Sequence, residues 1–245
     1  MARPRPARRA LSWLSRRLDR PELLGAFYPG ARSEWREEVA IRGIFGAVLR
    51  RGATYVDVGT NRGQLLGEAV RAQPRGEQVA FEPVPALAAE IERRFPEVEC
   101  RRVALGAEPG TSEFWHFRAL DGWSGLRRSP MISDELGDPE RIEVQVSTLD
   151  AELAGREPAL VKIDVEGAEL AVLQGGRQLL AAAKPLLVVE CVAAASELYG
   201  ATPGAVWDLL DGLGYELLPV TGGAPVARAG FGASGAINWL ARPAS

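Results

Sequence analysis

The sequence predicts an α/β fold: a seven-stranded sheet, mostly parallel, that ends in a C-terminal antiparallel hairpin and carries helices on both faces. Three observations support this prediction. Short apolar strands alternate with helical segments from residue 54 onward, as in repeated strand–helix units. A glycine loop follows the first strand directly. Two strands joined only by the 221–234 turn end the chain, which favours an antiparallel pair.

The composition predicts one large core in a cytoplasmic protein. A chain of 245 residues with 47% hydrophobic content can bury such a core. The net charge of -3 argues against a nucleic-acid partner, and no apolar run is long enough for a transmembrane segment. Cys100 and Cys191 lack metal-site spacing, so we expect reduced thiols. His116 is the only histidine, which nearly excludes a histidine-based zinc site.

Residues 1–50 are expected to form an N-terminal helical adapter or cap, and residues 51–245 the ligand-binding domain. The first 30 residues are arginine-rich and weakly patterned, which is typical of a frayed terminal helix or of a basic segment that contacts a membrane or partner. A helix is predicted from Ser33, as N-cap, to Gly52, as C-cap. Nothing in the sequence indicates an oligomeric state.

The first strand–loop–helix unit spans residues 54–72. Its strand ends at Val58, and Gly59 and Gly63 bound a loop in which backbone N–H groups can approach a nucleotide-like ligand, because glycine has no Cβ. A dinucleotide fingerprint needs G-x-G-x-x-G. Here Asp57 begins an Asp-x-Gly-x-x-x-Gly pattern instead, and a helix is predicted over Gln64 to Ala72.

The second and third strands indicate where a nucleoside would lie. The second, Gln78 to Phe81, stops at Glu82, which lies 19 positions beyond Gly63. Nucleotide-binding α/β units place at this distance the acid that accepts hydrogen bonds from ribose hydroxyls. After a helix over Pro85 to Phe95, the third strand, Val98 to Leu105, ends where an adenine ring would be expected.

Two strands with one solvated face, Thr111 to Phe117 and Ile142 to Val146, flank a long loop from Ala119 to Glu140. Because long loops inside compact domains are usually functional or disordered, we interpret this one as a lid or acceptor-recognition segment, or else as a simple excursion.

Two later strands end in acids. Leu160 to Asp164 leads into Glu166 and a helix that runs through Leu180, and Leu186 to Val189 is followed by Glu190. Carboxylates at the C-terminal ends of neighbouring parallel strands face the crevice in which open α/β sheets bind ligands. The remaining elements are a helix over Pro203 to Leu213 and strands over Tyr215 to Val220 and Gly235 to Leu240.

The Asp-x-Gly-x-x-x-Gly pattern resembles motif I of the class I S-adenosylmethionine (SAM) methyltransferases, whose fold is Rossmann-like. Together with the blocks Ala80–Pro83, Ser147–Asp150 and Lys162–Glu169, it resembles the FkbM-type methyltransferases, which mostly methylate hydroxyl groups of natural products or sugars. The resemblance covers residues 54–191, over half the chain. It implies SAM as the cofactor and a small hydroxylated molecule as the acceptor. The implied cofactor-binding residues are Asp57, Gly59, Thr60, Asn61, Gly63, Glu82, Pro83, Ala104 and Asp164.

Methyl transfer to a hydroxyl also requires a group that takes the acceptor proton. We expect Asp164 and Glu190 to face the acceptor together, as base and orienter, with Glu166 nearby. Alternatively, Asp164 and Glu190 hold Mg²⁺, as in catechol-type O-methyltransferases. His116 is the rival base, and we interpret it as a structural histidine.

Two other functions stay open at this level. An NAD-dependent oxidoreductase would share the strand, the loop and the ribose acid, but the glycine spacing and the terminal hairpin disfavour it. A protein of the same fold that binds the cofactor without catalysis would have the same sequence features.

Overall fold

In the computed structural model, the described residues are 31–50, 52–118, 122, 124–128, 139–232 and 235–244. Their strands are β1 (Tyr55–Val58), β2 (Gln78–Phe81), β3 (Glu99–Arg101), β4 (Ala104–Leu105), β5 (Gly110–His116), β6 (Glu140–Ser147), β7 (Leu160–Ile163), β8 (Leu186–Glu190), β9 (Tyr215–Pro219) and β10 (Asn238–Pro243). Their helices are α1 (Ala31–Val48), α2 (Gln64–Ala72), α3 (Pro85–Arg94), α4 (Leu149–Glu152), α5 (Glu169–Gln174), α6 (Arg177–Ala183), α7 (Ala193–Glu197) and α8 (Pro203–Gly212).

The main sheet has seven strands in the order β3-β2-β1-β7-β8-β10-β9. The first five are parallel, whereas β10 lies between β8 and β9 and runs antiparallel to both. This arrangement confirms the predicted fold class, including the terminal hairpin.

Both faces of the sheet are buried, because its central strands carry apolar side chains on each side. Val56 and Val58 of β1 pack in one cluster with residues of α5, α6 and α8. Tyr55 points to the other face and packs with α1, α2 and α3; its ring centroid lies 5.1 Å from that of Phe45. The predicted helices on both faces are therefore confirmed.

A second sheet has three strands in the order β4-β6-β5. The strand predicted from Val98 to Leu105 is divided between the two sheets: β3 pairs with β2, and β4 pairs with β6. The division follows from packing, since Ala104 belongs to a separate apolar cluster with Phe114 of β5 and Val144 of β6. The predicted one-faced strands are confirmed as β5 and β6.

The helix predicted through Leu180 is broken at Gly175 and Gly176. A Cβ on Gly175 would lie 2.1 Å from the carbonyl oxygen of Gly106, so a close backbone approach requires glycine there. Asp150 then accepts hydrogen bonds from the backbone N–H groups of Gln178 and Leu179 at 3.1 and 2.8 Å, which starts α6. The short helix α7 was not predicted.

At the N-terminal end, α1 begins at Ala31, so Ser33 lies inside the helix and the N-cap prediction is wrong. The basic segment at residues 1–30 lies outside the described residues, as does most of the predicted loop at 119–140. Within the described ranges, no helix combines the length and apolar character that a membrane crossing requires.

Candidate active site

The loop after β1 is held tightly against the rest of the sheet. Gly59 and Thr60 donate their backbone N–H groups to the carbonyl oxygen of Phe81 at 3.1 and 3.2 Å. Gly59 has a φ of 79°, and a Cβ there would lie 1.8 Å from the carbonyl oxygen of Asp164. Gly59 is therefore required by packing inside the protein as well as by the left-handed backbone, whereas the sequence-based explanation invoked only ligand approach.

Glu82 connects this loop to the end of β2. Its carboxylate is 4% exposed and accepts hydrogen bonds from the N–H groups of Asn61 at 2.7 Å and Val84 at 2.9 Å. The bond to Asn61 stabilises a residue with a φ of 52°. The predicted ribose acid thus lies directly beside the glycine loop.

A first cavity opens between the loop and the second sheet. Its polar side is formed by Gly59, Asn61, Glu82 and Pro83, and Asp164 and Glu166 close one end. Most of the rest of the wall is apolar and comes largely from β4 and its neighbours, and Ser124 also lines it; the apolar residues are Val84, Leu87, Val103, Ala104, Leu105, Phe114 and Leu126. A polar edge beside an apolar slot suits the ribose and purine ring of a nucleoside.

Three residues predicted to bind the cofactor do not line this cavity. Asp57 is 1% exposed and lies beneath the loop. The Thr60 hydroxyl donates to the backbone oxygen of Asp57 at 3.0 Å. A Cβ on Gly63 would lie 2.9 Å from the Phe95 ring. These contacts show that all three residues shape the loop.

The predicted carboxylates meet at the ends of β7 and β8. Oxygens of Asp164, Glu166 and Glu190 lie within 4.8 Å of one another. Asp164 and Glu190 follow the paired residues Ile163 and Val189, so the parallel register places them side by side. The Asp164 side chain is 32% exposed and lines the cavity, so its carboxylate is accessible to a ligand.

Glu166 is held in an unusual backbone conformation. Its φ is 55°, and the following Gly167 has a φ of 108°. The buried carboxylate of Glu169 accepts hydrogen bonds from the N–H groups of Val165 and Gly167 at 3.1 Å each. Glu169 thus fixes the turn that presents Glu166, which is more than the general preference of a helix N-terminus for negative charge would require.

Lys162 is a buried cation of the site, and its sequence context alone did not predict a role for it. Its Nζ lies 2.8 Å from Asp164 Oδ2 and 4.0 Å from Asp57 Oδ1. A signal was present: Lys162 is one of two lysines in the chain and interrupts the buried strand Leu-Val-Lys-Ile. A lysine that is 4% exposed needs an acidic partner.

The charges of these groups are strongly coupled. Burial disfavours both charged forms, but attraction between Lys162 and Asp164 outweighs it, so the pKa of Lys162 is raised and that of Asp164 is lowered. Burial and the adjacent Asp164 charge hold the pKa of Glu190 well above its usual range. Burial, followed by the charges of Asp164 and Glu169, raises the pKa of Glu166 to about 8. Asp164 is therefore the group of this pair that favours the ionised form, whereas burial and the neighbouring charge favour the protonated form of Glu190.

A second, larger cavity of about 420 Å³ adjoins the first. Asp164 and Glu166 line both cavities. The other lining residues come from α1 and α2, from the ends of β7, β8 and β10, from α7 and from the segment 124–128: Glu34, Glu38, Ile41, Gln64, Leu65, Arg127, Lys162, Glu190, Val192, Ala194, Ala195, Leu198, Ile237 and Asn238. Of all these lining residues, only Asp164, Glu166 and Glu190 are predicted as site residues from the sequence.

His116 is separate from these carboxylates. It lies at the end of β5 in the second sheet, its side chain is 7% exposed, and its Nδ1 is 3.9 Å from Glu140 Oε2. It lines neither of the two cavities. The structure therefore brings Asp164, Glu166 and Glu190 together and places His116 elsewhere.

The three clustered carboxylates also match the donor set of a hard divalent cation. Mg²⁺ prefers oxygen ligands and usually binds one or two protein carboxylates. Asp164 and Glu190, with Glu166, offer such oxygens beside the larger cavity. The chemistry of the site thus fits the predicted metal, although Lys162 already supplies one positive charge to Asp164.

Comparison with solved structures finds methyltransferases of low sequence identity to this chain. The structure of methyltransferase FkbM from Methylobacillus flagellatus KT has a TM-score of 0.48, 13% identity and 89% coverage of this chain. This chain spans only 60% of that protein's length. A TehB-like SAM-dependent methyltransferase from Corynebacterium glutamicum has a TM-score of 0.47 and 14% identity, with 96% of this chain and 99% of that chain covered.

A third similar structure, the plantazolicin methyltransferase BpumL in complex with SAH, has a TM-score of 0.48 and 9% identity, with 98% of this chain and 91% of that chain covered. No match was found among curated proteins. The sequence profile of the FkbM methyltransferase domain matches residues 57–217, which is more than half of the chain. By this match, the chain belongs to the FkbM methyltransferase domain family.

Proposed function

We propose that this protein is a SAM-dependent O-methyltransferase that acts on a hydroxyl group of a small molecule such as a sugar or natural product. The observation that carries the proposal is the junction of the two cavities at Asp164 and Glu166. One cavity has the composition of a nucleoside site, and the other presents carboxylates to a second molecule. Methyl transfer requires two ligands that meet at one point.

The first cavity supports SAM as the cofactor. A carboxylate has about four lone-pair positions, so Glu82 can accept from ribose hydroxyls while it keeps its bonds to Asn61 and Val84. The glycine loop supplies the polar surface for the amino-acid part. NAD has a pyrophosphate in place of that part and would need a G-x-G-x-x-G loop after the first strand, where this chain has the Asp-x-Gly-x-x-x-Gly pattern instead.

In the proposed reaction, SAM supplies a methyl group on a sulfonium. A carbon–oxygen bond forms at the acceptor, the sulfur–methyl bond breaks, and the acceptor hydroxyl proton must leave. Asp164 accepts this proton, because Lys162 keeps it ionised and it is exposed to both cavities. Glu190, whose protonated form is favoured by burial and by the adjacent Asp164 charge, orients the Asp164 carboxylate or the acceptor oxygen.

Asp164 and Glu190, with Glu166, would hold Mg²⁺ if the enzyme uses a metal. Bound there, the ion would lower the pKa of the acceptor hydroxyl. Treatment with EDTA followed by Mg²⁺ tests this role. If EDTA abolishes turnover and Mg²⁺ restores it, the metal role is supported. If turnover does not change, Asp164 acts as the base without a metal.

Thermal shift measurements with SAM, S-adenosylhomocysteine (SAH), NAD and NADP test the cofactor. Only SAM and SAH should raise the melting temperature, since a ligand stabilises the state that binds it. A screen of hydroxylated acceptors for SAH release then separates an enzyme from a binding protein of the same fold.

Two variants test the proposed base. Asp164→Asn should lower kcat by about 100-fold or more, the usual contribution of a positioned base. His116→Gln, the matched control, should retain full activity because His116 lies outside both cavities. Full activity in Asp164→Asn would show that Asp164 is not the base. Loss of activity in His116→Gln would favour His116 as the base instead.

A further inference from the structure

We propose that Tyr199 is a positioning residue for methyl transfer, because its hydroxyl fixes a segment that forms part of both cavities. This segment, residues 124–128, is called the bridging segment below. The inference rests on the proposed function and deepens it: it names a residue outside both cavities that sets how firmly the cofactor is held. It is carried by the contacts of the bridging segment and by those of the Tyr199 side chain.

The bridging segment lies where the two cavities meet. Ser124, Gly125 and Leu126 line the first cavity, and Arg127 lines the larger one. A Cβ on Gly125 would lie 3.8 Å from the Cβ of Glu166, so the segment is close to the carboxylates at the junction. A shift of this segment would therefore change the walls of both ligand sites at once.

One side of the bridging segment is attached to β5. The N–H of Trp115 donates to the carbonyl oxygen of Gly125 at 2.8 Å, and the N–H of Gly125 donates to the carbonyl oxygen of Trp115 at 3.2 Å. The Ser124 hydroxyl accepts from the N–H of Phe117 at 3.0 Å. These three bonds hold residues 124 and 125 to the second sheet, and none of them involves Arg127.

Tyr199 holds the other side of the segment. Its hydroxyl accepts the backbone N–H of Arg127 at 3.1 Å, and a Cβ on Gly125 would lie 3.0 Å from the same oxygen. Burial raises the pKa of Tyr199 to about 12, so the hydroxyl keeps its proton near neutral pH. Tyr199 thus connects a residue of the larger cavity to the chain between α7 and α8.

The ring of Tyr199 packs on the turn that presents Glu166. A Cβ on Gly167 would lie 3.0 Å from Tyr199 Cδ2 and 2.3 Å from the carbonyl oxygen of Ala195, so this close approach requires glycine at that position. Tyr199 therefore contacts the Glu166 turn with its ring and the bridging segment with its hydroxyl. A tyrosine suits this role because it combines a rigid apolar ring with a polar tip.

Tyr199→Phe tests this role, because it removes the hydroxyl and keeps the ring. In the full chain, amide hydrogen exchange measured by NMR should become about fivefold faster at Arg127, whose N–H loses its acceptor, and should not change at Trp115. SAH should bind about fivefold more weakly in calorimetric titration, since Gly125 and Leu126 line its proposed cavity.

Tyr215→Phe is the matched control. The Tyr215 hydroxyl donates to the carbonyl oxygen of Leu180 at 3.3 Å, and Tyr215 lines neither of the two cavities. This variant should lower the melting temperature and leave the affinity for SAH unchanged. A Tyr199 hydroxyl with a purely structural role would give the same result, so SAH affinity separates positioning from stability.

Gly125→Ala tests the same contact from the side of the bridging segment. The added methyl group would press against the Tyr199 oxygen at 3.0 Å, so SAH binding should weaken in this variant as well. In the double variant Gly125→Ala/Tyr199→Phe, this oxygen is absent. The two losses of affinity should therefore not add.

Several outcomes would overturn the inference. These are unchanged exchange at Arg127 or unchanged SAH affinity in Tyr199→Phe, an equal loss of affinity in Tyr215→Phe, and additive losses in the double variant. If the wild-type protein does not bind SAH, the proposed function fails and this inference fails with it. If the wild type binds SAH and Tyr199→Phe binds it equally well, only the role of Tyr199 fails.

Discussion

At the scale of single residues, Lys162 sets the charge state of the site. Its Nζ lies between two buried carboxylates, at 2.8 Å from Asp164 and 4.0 Å from Asp57. A buried charge that loses its partner is costly because neither water nor a counter-ion replaces it. The ionised Asp164 on which the proposed reaction depends therefore requires this lysine.

Replacing Lys162 with Met should lower the free energy of unfolding by about 3–5 kcal/mol, since Asp57 and Asp164 would lose their counter-charge. Adding Asp57→Asn should recover about 1 kcal/mol or more of this loss. Urea unfolding of the single and double variants measures both effects. A Lys162→Met protein as stable as the wild type would refute the central role of this pair.

Glu169 gives the stability of the protein a dependence on pH. Burial raises its pKa from 4.5 to about 7. The folded protein therefore binds this proton more tightly than the unfolded chain does. The resulting stabilisation is complete below pH 4.5 and is lost as the pH rises through about 7.

Glu169→Gln keeps an oxygen that can accept from Val165 and Gly167 but cannot ionise. The decrease in unfolding free energy from about pH 5 to about pH 8 should be smaller in this variant by about 2–3 kcal/mol. Glu97→Gln, at an exposed position, serves as the control and should show the wild-type pH dependence. If the unfolding free energy of Glu169→Gln changed with pH in the same way as that of the wild type, Glu169 would not be the source of the pH dependence.

At the scale of elements, the Glu37 carboxylate of α1 binds the start of β10 by hydrogen bonds, in addition to the apolar contacts between the two elements. Glu37→Ala would leave the N–H groups of Ile237 and Asn238 without their acceptor, so we expect a loss of about 2–4 kcal/mol in unfolding free energy. Glu38→Ala is the matched control: its 3.5 Å ion pair with Arg42 is exposed and should contribute less than about 1 kcal/mol. Equal losses in urea unfolding would show that Glu37 does not anchor the helix.

Glycine-to-alanine variants in the loop after β1 and in α1 should change stability in opposite directions. Gly59→Ala should destabilise the protein by about 3 kcal/mol or more, because its Cβ would lie 1.8 Å from a backbone oxygen at a φ of 79°. Gly46→Ala, in the interior of α1 with no atom within 4 Å of the added Cβ, should stabilise by about 0.5–1 kcal/mol. Thermal unfolding of the two variants measures the difference, and effects of the same sign would contradict the loop geometry.

Sequence patterns predicted best those helices and strands whose first and last residues are determined by residues within or next to the element. The bounds of α2 and β2 agree with the prediction, because apolar periodicity and the flanking glycine or acid define them. The break at Gly175 could not be predicted, since it depends on the approach of Gly106 from another part of the chain. Lys162 was overlooked for a similar reason: its partner Asp57 is distant in sequence and becomes a neighbour only when β1 pairs with β7.

At the scale of the whole molecule, the two cavities lie at the carboxyl ends of the parallel strands, as expected for an open α/β sheet. β1 and β2 supply Gly59 and Glu82 on one side, and β7 and β8 supply Asp164 and Glu190 on the other. The proposed division between a cofactor cavity and an acceptor cavity would thus follow from the strand order. The acids at strand ends were predictable, whereas the contribution of α1 required the folded structure.

The most direct test of this account is a crystal structure of the full chain with SAH. We predict that the ribose hydroxyls bind the Glu82 carboxylate, that the purine lies among Val84, Ala104 and Leu105, and that the sulfur points to Asp164 and Glu166. Nucleoside density elsewhere, or side chains that fill this cavity while SAH binds at another place, would contradict the proposed site of methyl transfer.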